Sequence, residues 1–183
     1  MPHLDKDLVL KKAAKVQLLI SDVDGVLTDG SITYTGSGEE IKSFSVLDGL
    51  GIKLLMEAGI RFCIISARSS GATKRRAEEL GVDLLFQGVE QKLPLLKSLL
   101  NEFGLSPEEV AYVGDDLVDL PLLRSVGLAI TVPNCAKELR DFCHYMTKAM
   151  GGKGAIREVA ELILKGKNLW SDCLNRFIHV PHD

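Results

Sequence analysis

The chain has 183 residues, of which 46% are hydrophobic, and a formal net charge of −3, so we expect one domain over residues 1–183. Its longest basic run, Lys74 to Arg76, is too short to indicate a nucleic-acid or membrane partner, and the apolar run from Val16 to Ile20 is too short for a signal segment. The charge pattern therefore favours partners that are small molecules or copies of itself. The four cysteines form no CxxC pair, which favours a cytoplasmic protein.

Short apolar runs alternate with helical stripes along the chain. We predict buried strands over residues 16–21, 61–66, 83–87, 110–114 and 128–132. Helices are predicted between them, over 49–59, 71–81, 92–104 and 120–127. The alternating polarity of residues 31–45 predicts a β-hairpin instead. The fold class is therefore α/β: a doubly wound, Rossmann-like, mainly parallel sheet with helices on both faces and a small hairpin insertion.

Acidic residues follow two of the predicted strands. Asp22 and Asp24 follow the first strand, and Asp115, Asp116 and Asp119 follow the strand over 110–114. Ligands of such sheets bind at the carboxyl ends of the strands, and carboxylates brought together there need a cation to stay ionised. Oxygen ligands without a nearby histidine favour Mg²⁺ over zinc. Asp116 or Asp119, taken alone, could equally cap the helix that follows.

Two further polar residues occupy comparable positions. Ser66 ends the strand over 61–66, and Lys92 begins a helix. Taken singly, such residues are more often a turn serine and a solvated surface lysine. Beside a metal site and a free aspartate, however, a hydroxyl and an ammonium group supply the anion site that phosphoryl transfer requires.

Four segments, DVDGVLTDG, ISARSS, QKL and GDDLVDLP, resemble in order and spacing the motifs of the haloacid dehalogenase superfamily of phosphohydrolases. The longer phrases VLDGLGIKLL, YVGDDLVDLP and GGKGAIREV are similar to the subgroup that acts on 3-deoxy-D-manno-octulosonate 8-phosphate, and the likeness runs from Val16 to about Leu164. This chain has Ser66-Ala67-Arg68 where relatives commonly carry Thr-Gly-Arg. Because the hydroxyl and the arginine are kept, we expect function to survive this difference.

The resemblance implies a catalytic role for each motif. Asp22 would attack phosphorus and form an aspartyl-phosphate, and Asp24 would protonate the leaving oxygen and later deprotonate water. Asp22, the backbone carbonyl of Asp24 and Asp115 would hold Mg²⁺. Ser66 and Lys92 would bind the phosphoryl oxygens.

The remaining acids and several basic residues have supporting or binding roles in this interpretation. Asp116 would orient Lys92 or metal-bound waters. Asp119 would support the metal ligands without binding the ion itself. Candidates for substrate binding are Gly30, Arg68, Arg76 and Lys153. The two arginines suit a sugar-acid carboxylate, although Arg76 is equally explained as a solvated charge on a helix face. The GGKG segment over 151–154 either forms a helix-entry turn or lets Lys153 approach a substrate anion.

The intervals between the motifs leave no room for the cap domain that many relatives of the superfamily insert there. An uncapped crevice is open to water, so its selectivity must come from elsewhere. The resemblance implies a homo-oligomer, a tetramer, in which the hairpin 31–45 and the tail 166–183 of neighbouring subunits cover each site. Apolar residues of the tail share one helical stripe, and packing of the tail on its own subunit is the open alternative.

We therefore expect a Mg²⁺-dependent phosphatase that releases the free sugar acid from 3-deoxy-D-manno-octulosonate 8-phosphate, in lipopolysaccharide precursor synthesis. A phosphatase for a nine-carbon, sialic-acid-type sugar acid 9-phosphate would share the motifs. A third alternative is a non-enzymatic phospho-accepting domain, which also places acids, a hydroxyl and a lysine around Mg²⁺. Asp24 disfavours that alternative, because a general base beside the phosphoacceptor would hydrolyse a long-lived aspartyl-phosphate.

Overall fold

The computed structural model describes residues 5–178. Its strands are β1 (Leu18–Ser21), β2 (Thr33–Tyr34), β3 (Glu40–Ile41), β4 (Arg61–Ile65), β5 (Leu84–Phe86), β6 (Val110–Gly114), β7 (Leu128–Thr131) and β8 (Tyr145–Met146). Six of them form one parallel sheet in the order β5-β4-β1-β6-β7-β8, and β2 pairs with β3 in a separate antiparallel ribbon. Each of the five strands predicted for the sheet is present within its predicted range.

The helices of the described chain are α1 (Lys6–Ala13), α2 (Val46–Glu57), α3 (Gly71–Leu80), α4 (Lys92–Phe103), α5 (Leu120–Leu123), α6 (Ala155–Gly166) and α7 (Trp170–Ile178). Helix α2 begins before the predicted residue 49, because the Ser45 hydroxyl accepts hydrogen bonds from the backbone N–H groups of Leu47 and Asp48. Helix α5 is shorter than predicted and follows a 3₁₀ turn over Leu117–Asp119. The sequence patterns did not predict α1 or the two-residue strand β8.

The core is centred on β1 and β6, whose residues are all buried. Their continuous apolar character follows from this position, since a central parallel strand has helices on both faces. Helix α6 packs against α1 and α2, and α5 packs against α4. The architecture is the predicted doubly wound, Rossmann-like sheet with helices on both faces.

The hairpin over 31–45 is present, but its paired strands are shorter than the alternating pattern predicts. Its turn is closed by hydrogen bonds from Thr35 N to Glu39 O and from Gly38 N to Thr35 O. Between residues 5 and 178 the chain inserts this hairpin and no cap domain among the motif-bearing loops. Across the same range, no helix combines the length and the apolar character that crossing a bilayer requires.

The parallel register brings the motif residues to one edge of the sheet. Ser21, the last residue of β1, pairs with Ile64 of β4 on one side and with Val113 of β6 on the other. The residues that follow these three strands therefore emerge side by side at the carboxyl edge, where Asp22, Ser66 and Asp115 lie.

Candidate active site

Asp22 stands at the centre of the carboxyl edge, directly after β1. Its backbone N–H donates to Val113 O at 3.0 Å, which ties the end of β1 to β6. The side chain is buried, and its Oδ1 accepts a hydrogen bond from Lys92 Nζ at 2.6 Å. Asp22 is therefore a buried carboxylate held by an ammonium group.

The loop after Asp22 approaches the second acidic loop so closely that it requires glycine at one position. Gly25 has a φ of +95°, and a Cβ there would lie 2.0 Å from Asp115 Oδ2. Two hydrogen bonds to backbone carbonyl groups also fix this loop: Asn134 Nδ2 donates to Gly25 O at 2.8 Å, and Gly152 N donates to Val26 O at 2.9 Å. The GGKG segment thus supports the loop that carries Asp22 and Asp24.

Lys92 is the first residue of α4, and its side chain points into the acidic edge instead of into solvent. It is 3% exposed. Its Nζ donates to Asp22 Oδ1 at 2.6 Å, to Asp119 Oδ1 at 2.7 Å and to Tyr112 Oη at 3.0 Å. Three acceptors for one ammonium group explain how a charged lysine can be buried here.

Asp119, and not Asp116, is the acid of the second loop that contacts Lys92. One oxygen of Asp119 takes the hydrogen bonds of Lys92 and Tyr112, and the other accepts from the N–H groups of Asp115 at 3.0 Å and Asp116 at 3.3 Å. The exposed Asp116 caps the short helical turn, with Oδ1 accepting from Leu117 N at 2.7 Å. Lys92 is thus held by Asp119 and not by Asp116, whose contact to Leu117 fits the helix-cap alternative. That Asp116 orients metal-bound waters stays a prediction.

Asp22, Lys92, Asp115 and Asp119 together form what we call the strand-end cluster. Oxygens of Asp22, Asp115 and Asp119 all lie within 4.8 Å of one another. Burial and the nearby Asp119 raise the pKa of Asp22 to about 6 despite Lys92, and burial with Asp22 and Asp119 raises the pKa of Asp115 to about 8. Burial would lower the pKa of Lys92, but Asp22 and Asp119 more than offset it and the pKa is raised. The cluster carries more negative charge than its one ammonium group neutralises.

Ser66 joins the same edge from β4. Its hydroxyl is buried and accepts a hydrogen bond from Arg68 N at 3.1 Å, while its backbone N–H donates to Phe86 O at 2.9 Å. That arrangement does not use the hydroxyl hydrogen, which can donate to an anion bound beside Asp22. The departure at Ala67 leaves these contacts in place.

Asp24 belongs to a second group of charged side chains, which we call the hairpin cluster. It consists of Asp24, Glu40, Lys42 and Arg68. Lys42 Nζ forms ion pairs with Asp24 Oδ1 and, at 3.3 Å, with Glu40 Oε1. Arg68 Nη2 contacts Glu40 Oε2 at 2.7 Å, and its Nε lies 3.8 Å from Asp24 Oδ2. The Arg68 hydrogen bond, with Lys42 nearby, lowers the pKa of Glu40 to about 2.

Sequence reasoning missed Glu40 and Lys42. The one local signal is their spacing, since residues i and i+2 of a strand point to the same face. Nothing in the segment EIKSFS shows that this face meets Asp24, because the hairpin must first fold back over the sheet edge. The Lys42 side chain is only 1% exposed, although it belongs to an otherwise exposed hairpin.

The contacts of the other three predicted binding residues lie outside the two clusters. Arg76 donates to Ser45 O at 3.3 Å and pairs with Glu79, and the first of these contacts joins α3 to the start of α2. Lys153 is exposed and lines a cleft of about 400 Å³ next to the loop after β1. Gly30 has a φ of +85° and donates its N–H to Thr28 Oγ1 at 3.2 Å, which shapes the end of that loop.

Known proteins with similar sequences are hydrolases and phosphatases. The family model described as haloacid dehalogenase-like hydrolase matches residues 39–127. The chain is 44% identical over 158 residues to the 3-deoxy-D-manno-octulosonate 8-phosphate phosphatase KdsC of Yersinia pestis, which covers 86% of this chain and 84% of the relative. The KdsC protein of Escherichia coli K12 is 43% identical over 156 residues, covering 85% of this chain and 83% of the relative.

Solved structures are similar over nearly the whole chain. The Moraxella catarrhalis 3-deoxy-D-manno-octulosonate 8-phosphate phosphatase, in complex with a magnesium ion, a phosphate ion and a KDO molecule, matches with a TM-score of 0.90 at 43% identity and covers 92% of this chain and 97% of that chain. A probable YrbI family phosphatase of Pseudomonas syringae matches with a TM-score of 0.93 at 43% identity, covering 96% and 99% of the two chains. The likeness therefore includes the loops that form the site as well as the sheet.

Proposed function

Because the chain belongs to the haloacid dehalogenase-like hydrolases, in their family of 3-deoxy-D-manno-octulosonate 8-phosphate phosphatases, we propose that it hydrolyses this sugar-acid phosphate to the free sugar acid and phosphate. It is a phosphoric monoester hydrolase. The observation that carries the proposal is the strand-end cluster, in which a buried aspartate, a lysine and two further acids meet at the edge of the sheet beside a serine hydroxyl.

The strand-end cluster fits Mg²⁺. Its donors are carboxylate oxygens within 4.8 Å of one another, and burial together with the neighbouring acids raises the pKa values of Asp22 and Asp115. Both oxygens of Asp119 already accept hydrogen bonds, so Asp22, Asp115 and the backbone carbonyl of Asp24 are the groups that would hold the ion. When bound, Mg²⁺ neutralises the carboxylates and polarises a phosphoryl oxygen.

Asp22 is the nucleophile in this proposal. Lys92 binds Asp22 Oδ1, so Oδ2 attacks phosphorus, and the bond to the sugar oxygen breaks as the aspartyl-phosphate forms. Lys92 and the Ser66 hydroxyl then donate to the phosphoryl oxygens and offset the charge that develops on them. Both side chains are buried, which strengthens these interactions relative to water.

Asp24 moves the protons. It gives a proton to the departing sugar oxygen, and it then takes one from the water that attacks the aspartyl-phosphate. Without substrate, Asp24 is paired with Lys42 and lies beside Arg68. A substrate carboxylate would compete with Asp24 and Glu40 for Arg68, which is the exposed member of this group.

The leaving group would bind above the edge, between the hairpin cluster and the cleft lined by Lys153. Arg68 is exposed and offers a planar fork that suits a sugar-acid carboxylate, and Lys153 offers a second cation. Arg76 is held at the start of α2, so we assign it a smaller part. We also place Gly30 at this surface, because its positive φ and its hydrogen bond to Thr28 shape the end of the loop after β1.

We further propose that the protein assembles as a cytoplasmic homotetramer whose neighbours close each open site. Apolar side chains of the hairpin and of α2 are exposed, among them Tyr34 at 60% and Val46 at 79%. Helix α7 buries Cys173 on its own chain but leaves Phe177 at 57% exposure. Residues 179–183 of the proposed covering tail lie outside the described residues. An exposed apolar surface of this kind is typical of an interface.

Phosphate release from a panel of sugar phosphates, with and without Mg²⁺, tests the proposed activity. The panel contains the eight-carbon sugar-acid 8-phosphate, a nine-carbon sugar-acid 9-phosphate, a neutral hexose phosphate and an aryl phosphate. We expect the highest kcat/KM for the eight-carbon acid. A higher value for the nine-carbon acid would reassign the substrate, and no Mg²⁺-dependent release from any ester would refute the activity.

Removal of residues 167–183 tests the proposed assembly. The aryl phosphate needs only the strand-end cluster, so its hydrolysis should persist, whereas kcat/KM for the sugar acid should fall. Oligomer size, measured by sedimentation, should change with it. Proportional losses for both substrates, or no loss, would show that the tail does not form the wall that gives specificity.

A further inference from the structure

The hydroxyl of Tyr112 lies inside the strand-end cluster, although a tyrosine in the middle of β6 reads from sequence as a core residue. Tyr112 is completely buried. Its Oη accepts a hydrogen bond from Lys92 Nζ at 3.0 Å and donates one to Asp119 Oδ1 at 2.5 Å. Burial, with Asp119 and Asp22 nearby, raises the pKa of Tyr112 well above its ordinary value, so the hydroxyl keeps the proton that it donates.

The three hydrogen bonds of the Lys92 ammonium group indicate what this hydroxyl does. An ammonium group has three N–H donors, and Lys92 directs them at Asp22, Asp119 and Tyr112. The contacts to Asp119 and Tyr112 occupy two of these donors, so together they fix the direction of the third, which faces Asp22. If the hydroxyl were absent, that N–H group would lack its acceptor and the ammonium group could turn further toward the carboxylates.

We propose that Tyr112 is a positioning residue, whose hydroxyl holds Lys92 and Asp119 so that one N–H of Lys92 faces Asp22 and, during the reaction, the phosphoryl oxygen. This inference rests on the proposed function. The hydroxyl also acts on the second loop, because the other oxygen of Asp119 binds the N–H groups of Asp115 and Asp116. Tyr112 touches neither the phosphoryl group nor the leaving group, so its effect passes through Lys92 and Asp119.

The test compares Tyr112→Phe with Tyr145→Phe. Tyr145 is a matched control, because its hydroxyl donates to the carboxylate of Glu158 at 2.6 Å but belongs to β8, outside both clusters. For Tyr112→Phe we expect kcat to fall about 10- to 100-fold, the usual effect of removing a group that orients a functional side chain. The factor should be the same for the sugar-acid phosphate and an aryl phosphate, with KM nearly unchanged, since Lys92 serves the phosphoryl group that both share.

An unchanged kcat in Tyr112→Phe, an equal loss in Tyr145→Phe, or a loss confined to KM for the sugar acid would each overturn the inference. If Tyr112→Phe does not fold, 3-fluorotyrosine at position 112 keeps the ring and weakens the oxygen as an acceptor. A smaller loss in kcat is expected there, and an unchanged kcat would again overturn the inference.

A measurement that needs no activity separates this inference from the proposed function. In protein labelled with ¹⁵N-lysine, the Lys92 ammonium signal is identified by its loss in Lys92→Met. We expect Tyr112→Phe to broaden or abolish that signal through faster exchange with water, and Tyr145→Phe to leave it unchanged. The same signal in Tyr112→Phe as in the unaltered protein would refute the positioning role. Wild-type protein that releases no phosphate from any ester would refute the proposed function instead.

Discussion

The strand-end cluster and the hairpin cluster are neighbouring groups of charges that differ in their balance. The strand-end cluster has three carboxylates and one ammonium group, and Lys92 and Asp119 within it are buried. The hairpin cluster has two carboxylates and two cations, and Arg68 in it is exposed. The surplus of negative charge makes the first cluster a place for a cation, whereas the second neutralises itself until a charged substrate exchanges with one of its members.

Because of this difference, we assign the phosphoryl group of the substrate to the strand-end cluster and the leaving sugar to the hairpin cluster. In the proposed mechanism, the strand-end cluster acts on phosphorus, where small displacements are costly. The hairpin cluster would face the leaving sugar, where related substrates differ from one another. Substitutions in the first cluster should therefore affect every ester equally, and substitutions in the second should depend on the leaving group.

The largest effect is expected from Asp22→Asn in the strand-end cluster. The change removes the nucleophile at nearly constant shape, so kcat should fall by at least about 10⁴-fold for every ester. The measurement is Mg²⁺-dependent phosphate release, with folding checked by circular dichroism. Asp83→Asn, an exposed aspartate before β5, is the matched control and should keep full activity. Substantial turnover by Asp22→Asn would end the covalent mechanism.

Asp24→Asn tests the member of the hairpin cluster that, in the proposed mechanism, moves protons at the reacting phosphoryl group. Loss of the general acid and base should reduce kcat by about 10²- to 10⁴-fold. The loss should be smaller for an aryl phosphate, whose leaving group needs less help from a proton. A change in KM with kcat intact would make Asp24 a binding residue and not the general acid and base.

Arg68→Gln tests whether the hairpin cluster recognises the leaving group. Loss of a hydrogen bond between charged groups, worth about 1.5–3 kcal/mol, should raise KM for the sugar-acid phosphate by roughly 10-fold or more. The aryl phosphate carries no carboxylate and should be nearly unaffected. Arg75→Gln is the control, because Arg75 is an exposed residue of α3 that pairs with Glu79 at 3.3 Å. An equal rise in KM for both substrates would show that the hairpin cluster does not recognise the leaving group.

The smallest effect concerns stability without metal. The pKa of Asp115 rises from 3.8 to about 8 on folding, so the metal-free folded protein holds a proton that the unfolded chain has lost between these values. Raising the pH through this window should therefore lower Tm in the presence of a chelator. Mg²⁺ should raise Tm more at about pH 8 than at about pH 5, since its ligands are then ionised.

Asp115→Asn should remove much of this dependence on pH, and the Tm of that variant is the measurement that checks the assignment. The hairpin cluster provides the contrast. The pKa of Glu40 falls from 4.5 to about 2 on folding, so its contribution is present above pH 4.5 and is lost as the pH falls toward 2. Metal-free protein that becomes more stable as the pH rises toward 8 would contradict the surplus of charge in the strand-end cluster.

Much of the fold and part of the site follow from local patterns. Continuous apolar runs predict buried parallel strands, and the carboxyl ends of neighbouring parallel strands meet at one edge, so the meeting of Asp22 with Asp115 could be inferred. The boundaries of α2 and α5 could not be placed as well, since they depend on the Ser45 cap and on a 3₁₀ turn.

The sequence by itself determined which residue types reach the carboxyl edge, because strand period and order along the chain depend on near neighbours. Tertiary structure alone decided the partners of these residues. Lys92 could equally have been a surface lysine until the fold directed its side chain at Asp22 and Asp119, and Tyr112 looked like a core residue until its hydroxyl met that lysine. The pairing of Lys42 with Asp24 likewise depends on how the hairpin folds back. Such contacts join positions far apart in the chain, and they form because a buried charge is stable only where packing supplies its partners.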